Sequence, residues 1–511
     1  MQLGIVKLEN ICFRLPLRSP FTIFVIVEQK ETTHKTFGAI LRLTGMLGSV
    51  HGFGILSSLV RNKLTAVLLG PAGMGLISLY NTALKLVSDI SNLGIPTSSV
   101  KCMAEVDTGR QKEIVRLTRS LTLFTAVAGM LLMCLCAPLL SRAYFGEEGQ
   151  SGAFVALSVV VFLSIFSAGE IAVLKGTGFV RAIAHQGVIA SVGAVLIVLP
   201  FYYYRGVEGI VPALITLQFF VAVVVSCFSM RKFPYRIGIP DKAHYHRARA
   251  MVRVGLAFLL TGAVSSAFEF SVRSYMMNFG SLADVGFYNS GYFIVTTYAA
   301  VFFAGLDSDF YPQLSSVKGN AETSALVNAR IIVTMQLLSP MLLLFMAAMP
   351  LIIPLVYSER FLPAVGYSQL VVLSVLFRGV TLPLEYIALA RGRGFVYFLT
   401  EGCYSVLTLV GVVVGYHFYG LNGAGWGMAV ASAFSLLADC LVVRHYFGYV
   451  LTFEILRLLG EYLLLHVSVL AAMWLLPAGW SVGVTVVLVA AGLWRLWLFV
   501  RNRTDLLKRK K

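Results

Sequence analysis

Long apolar runs alternate with short polar breaks along almost all of the 511 residues. Most runs reach about 20 residues, the length at which an α-helix crosses a hydrocarbon core of roughly 30 Å. This pattern predicts an all-α polytopic membrane protein with about 14 transmembrane helices. The expected spans are 43–68, 72–95, 119–143, 153–174, 180–204, 207–230, 251–278, 286–306, 327–352, 364–389, 395–418, 421–443, 459–477 and 480–499.

The N-terminal segment, residues 1–40, does not follow this pattern. Its apolar run FTIFVIV, at 21–27, is too short to span a bilayer and lacks the small-residue cleavage site of a secretory signal. We expect a cytoplasmic extension. It is either a non-native product of an upstream start codon or a disordered part of the protein.

Charge is scarce and unevenly distributed. Only 13% of the residues are charged, against about 25% in soluble domains, yet the net charge is +17. Lysine and arginine concentrate in alternate connections, most densely at 231–253 and 501–511, while the opposite connections hold little more than Arg142, Arg205 and Arg360. The positive-inside rule then places both termini in the cytoplasm. Nucleic-acid binding is not needed to explain the charge.

Several features recur at nearly constant spacing and predict an internal repeat. VLKGTGF at 173–179 returns as LARGRGF at 389–395, which pairs Lys175 with Arg391. Gly206 and Gly420 are separated by nearly the same length of chain. An even number of spans separates the copies, so the repeats are parallel and predict two six-helix lobes around a central cavity. Each glycine-rich stretch is interpreted as a tight turn with a basic anchor, and phosphate entry is the alternative.

The predicted domains are the extension 1–40, an N-terminal lobe 41–235, a C-terminal lobe 236–450, two additional transmembrane helices within 451–500 and a basic cytoplasmic tail 501–511. No external connection is long enough to hold a catalytic domain, so we expect a transporter and not an enzyme. Seven scattered cysteines predict neither a disulfide framework nor a metal site. No cofactor is expected.

Eight of the charged residues inside the predicted spans are candidates for a functional role. An intramembrane charge costs roughly 2.5 to 3.5 kcal/mol on insertion scales, so retained charges tend to face protein or water. Arginine is suited to bidentate contact with phosphate oxygens, which indicates an anionic, phosphate-containing substrate. The candidate substrate-binding residues are Arg61, Lys63, Lys85, Arg273 and Arg378, and the candidate ion-coupling or cavity carboxylates are Asp89, Glu269 and Glu385.

Structural roles are the alternatives for these charges. Lys85 with Asp89, and Glu269 with Arg273, have the i,i+4 spacing of intrahelical ion pairs. Arg61 and Lys63 have an alternative as interfacial residues whose side chains reach the membrane surface. Glu385 is close enough in sequence to Arg391 to pair with it.

The stretch VRNKLTAVLLGPAGMGLISLYNTALKLVSDISNLGIPTSSVK, residues 60–101, resembles the opening of O-antigen and oligosaccharide flippases of the Wzx type. Their superfamily also contains multidrug and toxic-compound extruders and the lipid II flippase. The resemblance implies a flippase in the bacterial inner membrane. Its substrate would be an undecaprenyl-diphosphate-linked oligosaccharide, moved from the cytoplasmic to the periplasmic leaflet. It also implies coupling to H⁺ or Na⁺ and a polysaccharide polymerase as a possible partner, with membrane lipids around the spans.

Two other functions stay open at this point. A multidrug or small-molecule antiporter would share the architecture, although a cavity for cationic drugs should be predominantly acidic. A polyprenyl-linked sugar polymerase or ligase would need paired carboxylates or a large external loop. The adjacent glutamates of GEEGQSG, 146–152, are better explained as part of a solvated loop.

Overall fold

The structure is a computed structural model that describes residues 33–106, 108–146, 149–235 and 242–508. Its α-helices are α1 (Thr33–Ser91), α2 (Ile95–Ala104), α3 (Thr108–Phe145), α4 (Ser151–Gly176), α5 (Val180–Arg205), α6 (Ile210–Met230), α7 (Lys242–Phe279), α8 (Leu282–Ser316), α9 (Asn320–Val356), α10 (Ala364–Ala390), α11 (Gly394–Phe447), α12 (Phe453–Leu475) and α13 (Ala478–Lys508). Residues 1–32 of the expected extension lie outside the described residues, and residues 33–40 belong to α1.

Two helices are broken in the middle and cross the membrane twice. The backbone of α1 leaves helical geometry at Gly70, with φ 67°, and that of α11 does so at Tyr419 and Gly420. We name their halves α1a (33–69), α1b (71–91), α11a (394–418) and α11b (421–447). The 10-residue α2 is too short to cross. Within the described residues the other 12 helices, with the two broken ones counted twice, give 14 helical segments, in agreement with the predicted fold. Nine helical stretches in these residues are long and apolar enough to cross a membrane, by length and composition.

The repeat is visible in the backbone. Gly206 (φ 55°, ψ −129°) and Gly420 (φ 59°, ψ −144°) adopt the same conformation at equivalent places, directly after α5 and α11a. Both values lie in the positive-φ region that glycine tolerates best. The chain therefore turns in the same way at the end of the fifth crossing of each lobe.

The expected equivalence of Lys175 and Arg391 is wrong. The left-handed residues of the two turns are Gly178 and Gly392. Gly178 is the third residue after Lys175, whereas Gly392 directly follows Arg391. The turn has to reverse the chain after a helix, and the glycine that can adopt positive φ sets its register. The basic residue does not set the register of the turn. The two Gly-x-Gly stretches therefore do not align residue by residue between the two turns.

The C-terminal lobe is built around α10. In its most apolar window 78% of the residues are buried, against 17% for the window in α13. α10 packs against α8, α9 and α11, whereas α12 and α13 pack on the outside of α9. The two last helices therefore cover one flank of the lobe and do not help to form the interface between the lobes.

Candidate functional site

A cavity of about 580 Å³ lies between the two lobes. Its wall comes chiefly from α1a, α1b and α5 of the N-terminal lobe and from α7 and α8 of the C-terminal lobe. The lining residues are Arg61, Asn62, Thr65, Met74, Ile77, Ser78, Asn81, Thr82, Lys85, Val198, Tyr202, Leu214, Leu217, Glu269, Arg273, Asn289, Tyr292, Phe293, Thr296 and Tyr357. Four of the eight charged residues singled out from the sequence thus meet in one place.

Arg61 contributes an uncommitted guanidinium to this cavity. Its side chain makes no hydrogen bond or ion pair within the part of the chain that the structure describes. A guanidinium carries five N–H donors in a planar fork. In a cavity walled by apolar helices these donors are available to an anion with several oxygen acceptors.

Lys85 and Arg273 are joined through one carboxylate. Lys85 Nζ lies 2.9 Å from Glu269 Oε1 across the lobe interface, and Arg273 Nη1 lies 3.8 Å from Glu269 Oε2. Arg273 also donates from Nε to Ser78 Oγ at 2.9 Å and from Nη2 to Asn289 Oδ1 at 3.3 Å. Three cations and one carboxylate line the cavity, a formal net charge of +2.

The alternative of an intrahelical pair between Lys85 and Asp89 is not formed in the structure, where Lys85 pairs with Glu269 of the facing lobe. Asp89 instead accepts a hydrogen bond from Ser266 Oγ of α7, one helical turn further along the interface. It lies beyond the cavity wall, next to the position where α1b ends. The other i,i+4 pair, Glu269 and Arg273, is present in the structure, with a long distance of 3.8 Å between Oε2 and Nη1.

Aromatic and amide side chains complete the wall. Tyr202, Tyr292, Phe293 and Tyr357 provide ring faces and phenolic hydroxyls, and Asn62, Asn81 and Asn289 provide amides. Rings offer apolar faces, and hydroxyls and amides both donate and accept hydrogen bonds. A wall of this kind can bind a polyhydroxylated group beside an anion.

The lobes touch backbone to backbone at one end of the cavity. A Cβ added to Gly75 of α1b would lie 2.0 Å from the carbonyl oxygen of Leu282, and one added to Gly286 would lie 2.0 Å from that of Pro71. Real Cβ atoms do not approach this closely, so only glycine permits the contact. We call this the Gly75–Gly286 closure.

A second backbone contact lies at the other end. A Cβ on Gly94 would be 2.1 Å from the carbonyl oxygen of Gly255 in α7, and one on Gly255 would be 2.3 Å from that of Leu93. We call this the Gly94–Gly255 closure. The cavity residues of α1b, from Met74 to Lys85, lie between the two closures. Backbone contacts between the lobes therefore lie on both sides of these cavity residues.

Lys63 supports the first closure and does not line the cavity, contrary to its expected place among the substrate-binding residues. Its Nζ donates to the carbonyl oxygen of Pro354, 2.8 Å away, near the end of α9. The last four carbonyls of a helix lack intrahelical donors and carry the negative end of its dipole. The Lys63 ammonium group is therefore bound at the end of α9 and not in the cavity.

Arg378 and Glu385 also lie away from the cavity, inside the C-terminal lobe. Arg378 Nη1 is 2.6 Å from Glu385 Oε1, and its Nη2 is 3.0 Å from Glu401 Oε1 of α11a. The alternative partner of Glu385, Arg391, instead donates to the Lys318 carbonyl oxygen and the Thr323 hydroxyl. Burial inside one lobe explains why Arg378 cannot reach the interface.

The N-terminal lobe holds an ion pair that the sequence did not reveal. Arg119 of α3 and Glu170 of α4 form two hydrogen bonds of 2.9 Å, and their side chains are only 1% and 2% exposed. Arg119 also donates to Ser229 and to the carbonyls of Phe233 and Pro234. In the sequence Arg119 follows several other basic residues and lies near a predicted cytoplasmic loop. It therefore looked like one more positive-inside residue, and nothing in the sequence indicated a buried ion pair.

These features define a class of protein: a multi-pass, two-lobed membrane protein with a cationic central cavity. The chain matches the family described as "Polysaccharide biosynthesis protein" over residues 64–366, more than half of its length. It therefore belongs to that family, which confirms the resemblance found in residues 60–101. No curated protein sequence matches the chain.

Solved structures show the same fold at low identity. A structure of the lipid II flippase MurJ in an inward closed conformation superposes with a TM-score of 0.66 at 12% identity, covering 91% of this chain and 100% of that one. An inward-facing multidrug resistance transporter of the MATE family, in the MOP superfamily, gives 0.62 at 14% identity, covering 80% and 95%.

A third similar structure is a MOP superfamily transporter from Pyrococcus furiosus. It gives a TM-score of 0.56 at 15% identity, covering 80% of this chain and 95% of that one. Its description states that the reverse polarity of its binding pocket suggests a different function. The chain therefore has the same fold as these two transporters and this flippase.

Proposed function

We propose that this protein is a flippase for an undecaprenyl-diphosphate-linked oligosaccharide, moving it from the cytoplasmic to the periplasmic leaflet of a bacterial inner membrane. The observation that carries the proposal is the net +2 cavity between the lobes, with the uncommitted Arg61 in its wall. A diphosphate presents several anionic oxygens, which matches a guanidinium fork. Membership of a polysaccharide biosynthesis family supports a saccharide as the attached group.

The charged and polar residues of the wall have different proposed roles. Arg61 binds the diphosphate directly, and Arg273, already held by Ser78 and Asn289, provides a second, fixed guanidinium. Lys85 becomes available when Glu269 gives up its ion pair. The asparagines and tyrosines contact the sugars, while the prenyl tail stays in the bilayer.

The two closures support alternating access. In this proposal the Gly94–Gly255 closure faces the cytoplasm, since the basic connections lie on that side. The Gly75–Gly286 closure faces the periplasm. The structure has both closed, and transport requires each to open in turn while the other stays shut. Glu269 holds the cavity cations in the absence of substrate, and Asp89 helps to hold the cytoplasmic closure through Ser266.

The multidrug antiporter is the weaker candidate. A cationic drug would meet three cavity cations and only one carboxylate, so its entry is electrostatically unfavourable. A polymerase or ligase finds no support in the cavity, because Glu269 is its one carboxylate among the described lining residues and is engaged by Lys85 and Arg273.

The test is a flipping assay in proteoliposomes with a fluorescent prenyl-diphosphate disaccharide, scored by quenching from one side. A neutral prenyl disaccharide serves as the second probe. We expect the diphosphate probe alone to be flipped, with its chemical structure unchanged. The Arg61→Gln variant should lose about ten- to a hundredfold in rate, because charge-assisted hydrogen bonds contribute about 1.5–3 kcal/mol.

Arg181→Gln is the matched control, since Arg181 is exposed on α5 and lies outside the cavity wall. Its rate should equal that of the wild type at equal protein abundance. Equal flipping of the neutral probe, or a normal rate in Arg61→Gln, would overturn the proposed diphosphate site. Conversion of the probe into a longer glycan would identify an enzyme instead.

A further inference from the structure

The C-terminal lobe contains a cluster of four charged side chains whose charges do not balance. Arg378 is the one cation, and Glu385, Glu401 and Asp439 are the carboxylates. We name these four residues the C-lobe carboxylate cluster. Glu385 and Asp439 are both 0% exposed. With every group ionised the cluster carries a net charge of −2 inside membrane-spanning helices.

Three oxygens of this cluster have no hydrogen-bond partner among the residues that the structure describes. They are Oε2 of Glu385 and both Oδ atoms of Asp439. Arg378 is already shared between Glu385 and Glu401 and stacks over the Tyr404 ring at 4.7 Å. A buried carboxylate without a donor is strongly disfavoured in its charged form. The cluster thus has no cation that balances the negative charge of Asp439.

The N-terminal lobe shows how the fold accommodates a balanced pair. There Arg119 meets a single carboxylate, Glu170, and both carboxylate oxygens accept hydrogen bonds. The guanidinium is further occupied by Ser229 and two backbone carbonyls. Nothing in that pair needs an additional cation. The contrast between the lobes shows that the excess carboxylates are a specific feature of the second repeat.

We propose that the C-lobe carboxylate cluster binds a proton, with Asp439 as its primary acceptor, and that this proton is the ion coupled to transport. When Asp439 takes up a proton from the aqueous phase, its carboxylate becomes a neutral acid, and the net charge of the cluster changes from −2 to −1. The charged groups acting on Asp439 are Arg378 and Glu385 of α10 and Glu401 of α11a, and the thiols of Cys403 and Cys440 are its other titratable neighbours. The coupling part of this inference rests on the proposed flippase function.

A proton fits this cluster better than a metal cation. No group of three or more His, Cys, Asp or Glu side chains in the described ranges has the geometry to hold a metal ion. Hard metal cations need several converging oxygens, whereas here the Arg378 guanidinium occupies the space between two of the carboxylates. Arg378 and Glu401 are 22% and 24% exposed, so the edge of the cluster is accessible while Asp439 is not.

The cluster is separate from the cavity but is connected to it through α8. The helix that carries Arg378, α10, packs against α8, which carries the cavity residue Tyr292. Tyr292 stacks on Tyr288 with 6.1 Å between ring centres, and the Tyr288 ring centre lies 5.2 Å from that of Tyr367 on α10. The guanidinium of Arg273 lies 5.7 Å from the Tyr288 ring centre. A change of charge at the cluster therefore has a route through packed helices, α10 and α8, to a residue of the proposed diphosphate site.

Infrared difference spectroscopy of the full-length protein in nanodiscs, between alkaline and acidic buffer, tests the proton site without any substrate. The wild type should show the carbonyl stretch of a protonated, buried carboxylic acid, shifted in D₂O. Asp439→Asn should remove that band. The control Glu461→Gln, on an accessible ion-paired carboxylate of α12, should keep it. An unchanged band in Asp439→Asn would overturn the assignment of Asp439, and its absence in the wild type would overturn the proton site.

Flipping of the fluorescent prenyl-diphosphate disaccharide under a pH gradient, or under a sodium gradient without a pH difference, tests the coupling. In the wild type the pH gradient should increase the flipping rate and the sodium gradient should not. Asp439→Asn should still flip the probe, but the pH gradient should no longer increase its rate. Stimulation by sodium alone, or retained pH stimulation in the variant, would overturn proton coupling through Asp439. Absence of all flipping would reject the flippase function, while the infrared band would still decide the proton site.

Discussion

Lys85 of α1 and Glu269 of α7 form an ion pair across the two lobes, with 2.9 Å between Nζ and Oε1. The same carboxylate lies 3.8 Å from Arg273, so one acid partly neutralises two of the three cavity cations. In the proposed function an incoming diphosphate would compete with Glu269 for both. The pair would then link substrate binding to the contact between the lobes.

Replacing that carboxylate should strengthen anion binding. In Glu269→Gln the two cations lose their competitor, and the affinity for the prenyl-diphosphate disaccharide should rise about fivefold. The two side chains are 48% and 36% exposed, which limits their interaction to about 1 kcal/mol. Equilibrium binding measured by fluorescence in detergent checks this value. Lys85→Met is the opposite control and should weaken binding, so a decrease in both variants would contradict the competition.

A larger side chain at Gly286 should prevent the Gly75–Gly286 closure. In Gly286→Val a branched side chain would collide with the Pro71 carbonyl, which already lies 2.0 Å from the position of a Cβ. We expect the population with this end open to increase. Spin-label distances between α1b and α8 should lengthen.

Gly460→Ala is the control for this variant, because a Cβ at Gly460 in α12 meets nothing within 4 Å. Its distances should match those of the wild type. Unchanged distances in Gly286→Val would mean that the backbones separate without opening that end of the cavity.

Lys63→Met should separate closure from substrate binding. The variant loses the cation at the Pro354 carbonyl and should shift the same spin-label distances toward the open form. Its affinity for the diphosphate probe should stay within about twofold of the wild type, since Lys63 does not line the cavity. A loss of affinity as large as in Arg61→Gln would restore Lys63 to the substrate site.

Breaking the balanced ion pair of the N-terminal lobe should destabilise the protein. Glu170→Gln leaves the buried guanidinium of Arg119 with one ionic partner fewer, at a cost of about 3–5 kcal/mol. Asp439→Asn should cost much less, because Asp439 has no hydrogen bond to lose in the described structure. Thermal unfolding of both variants in one detergent checks the difference. Equal losses would indicate that Asp439 is paired and charged.

Local sequence predicted the crossings well because each apolar run must satisfy its own backbone hydrogen bonds in lipid and therefore folds as a helix wherever it packs. The breaks after Leu69 and near Gly420 were also predicted, since glycine and proline act locally. The register of the Gly178 and Gly392 turns was missed, because a basic residue is a weaker local constraint than a positive φ angle.

The sequence by itself determined a polytopic membrane protein with two repeated lobes, its family, and the set of charges that needed protein or water around them. Only the tertiary structure decided which charges meet. It placed Arg61, Lys85, Glu269 and Arg273 in one cavity, used Lys63 and Asp89 at its ends, and enclosed Arg378 and Glu385 within one lobe. Helical spacing fixes neighbours on one helix, whereas partners such as Lys85 and Glu269, which lie far apart in the sequence, depend on how helices pack.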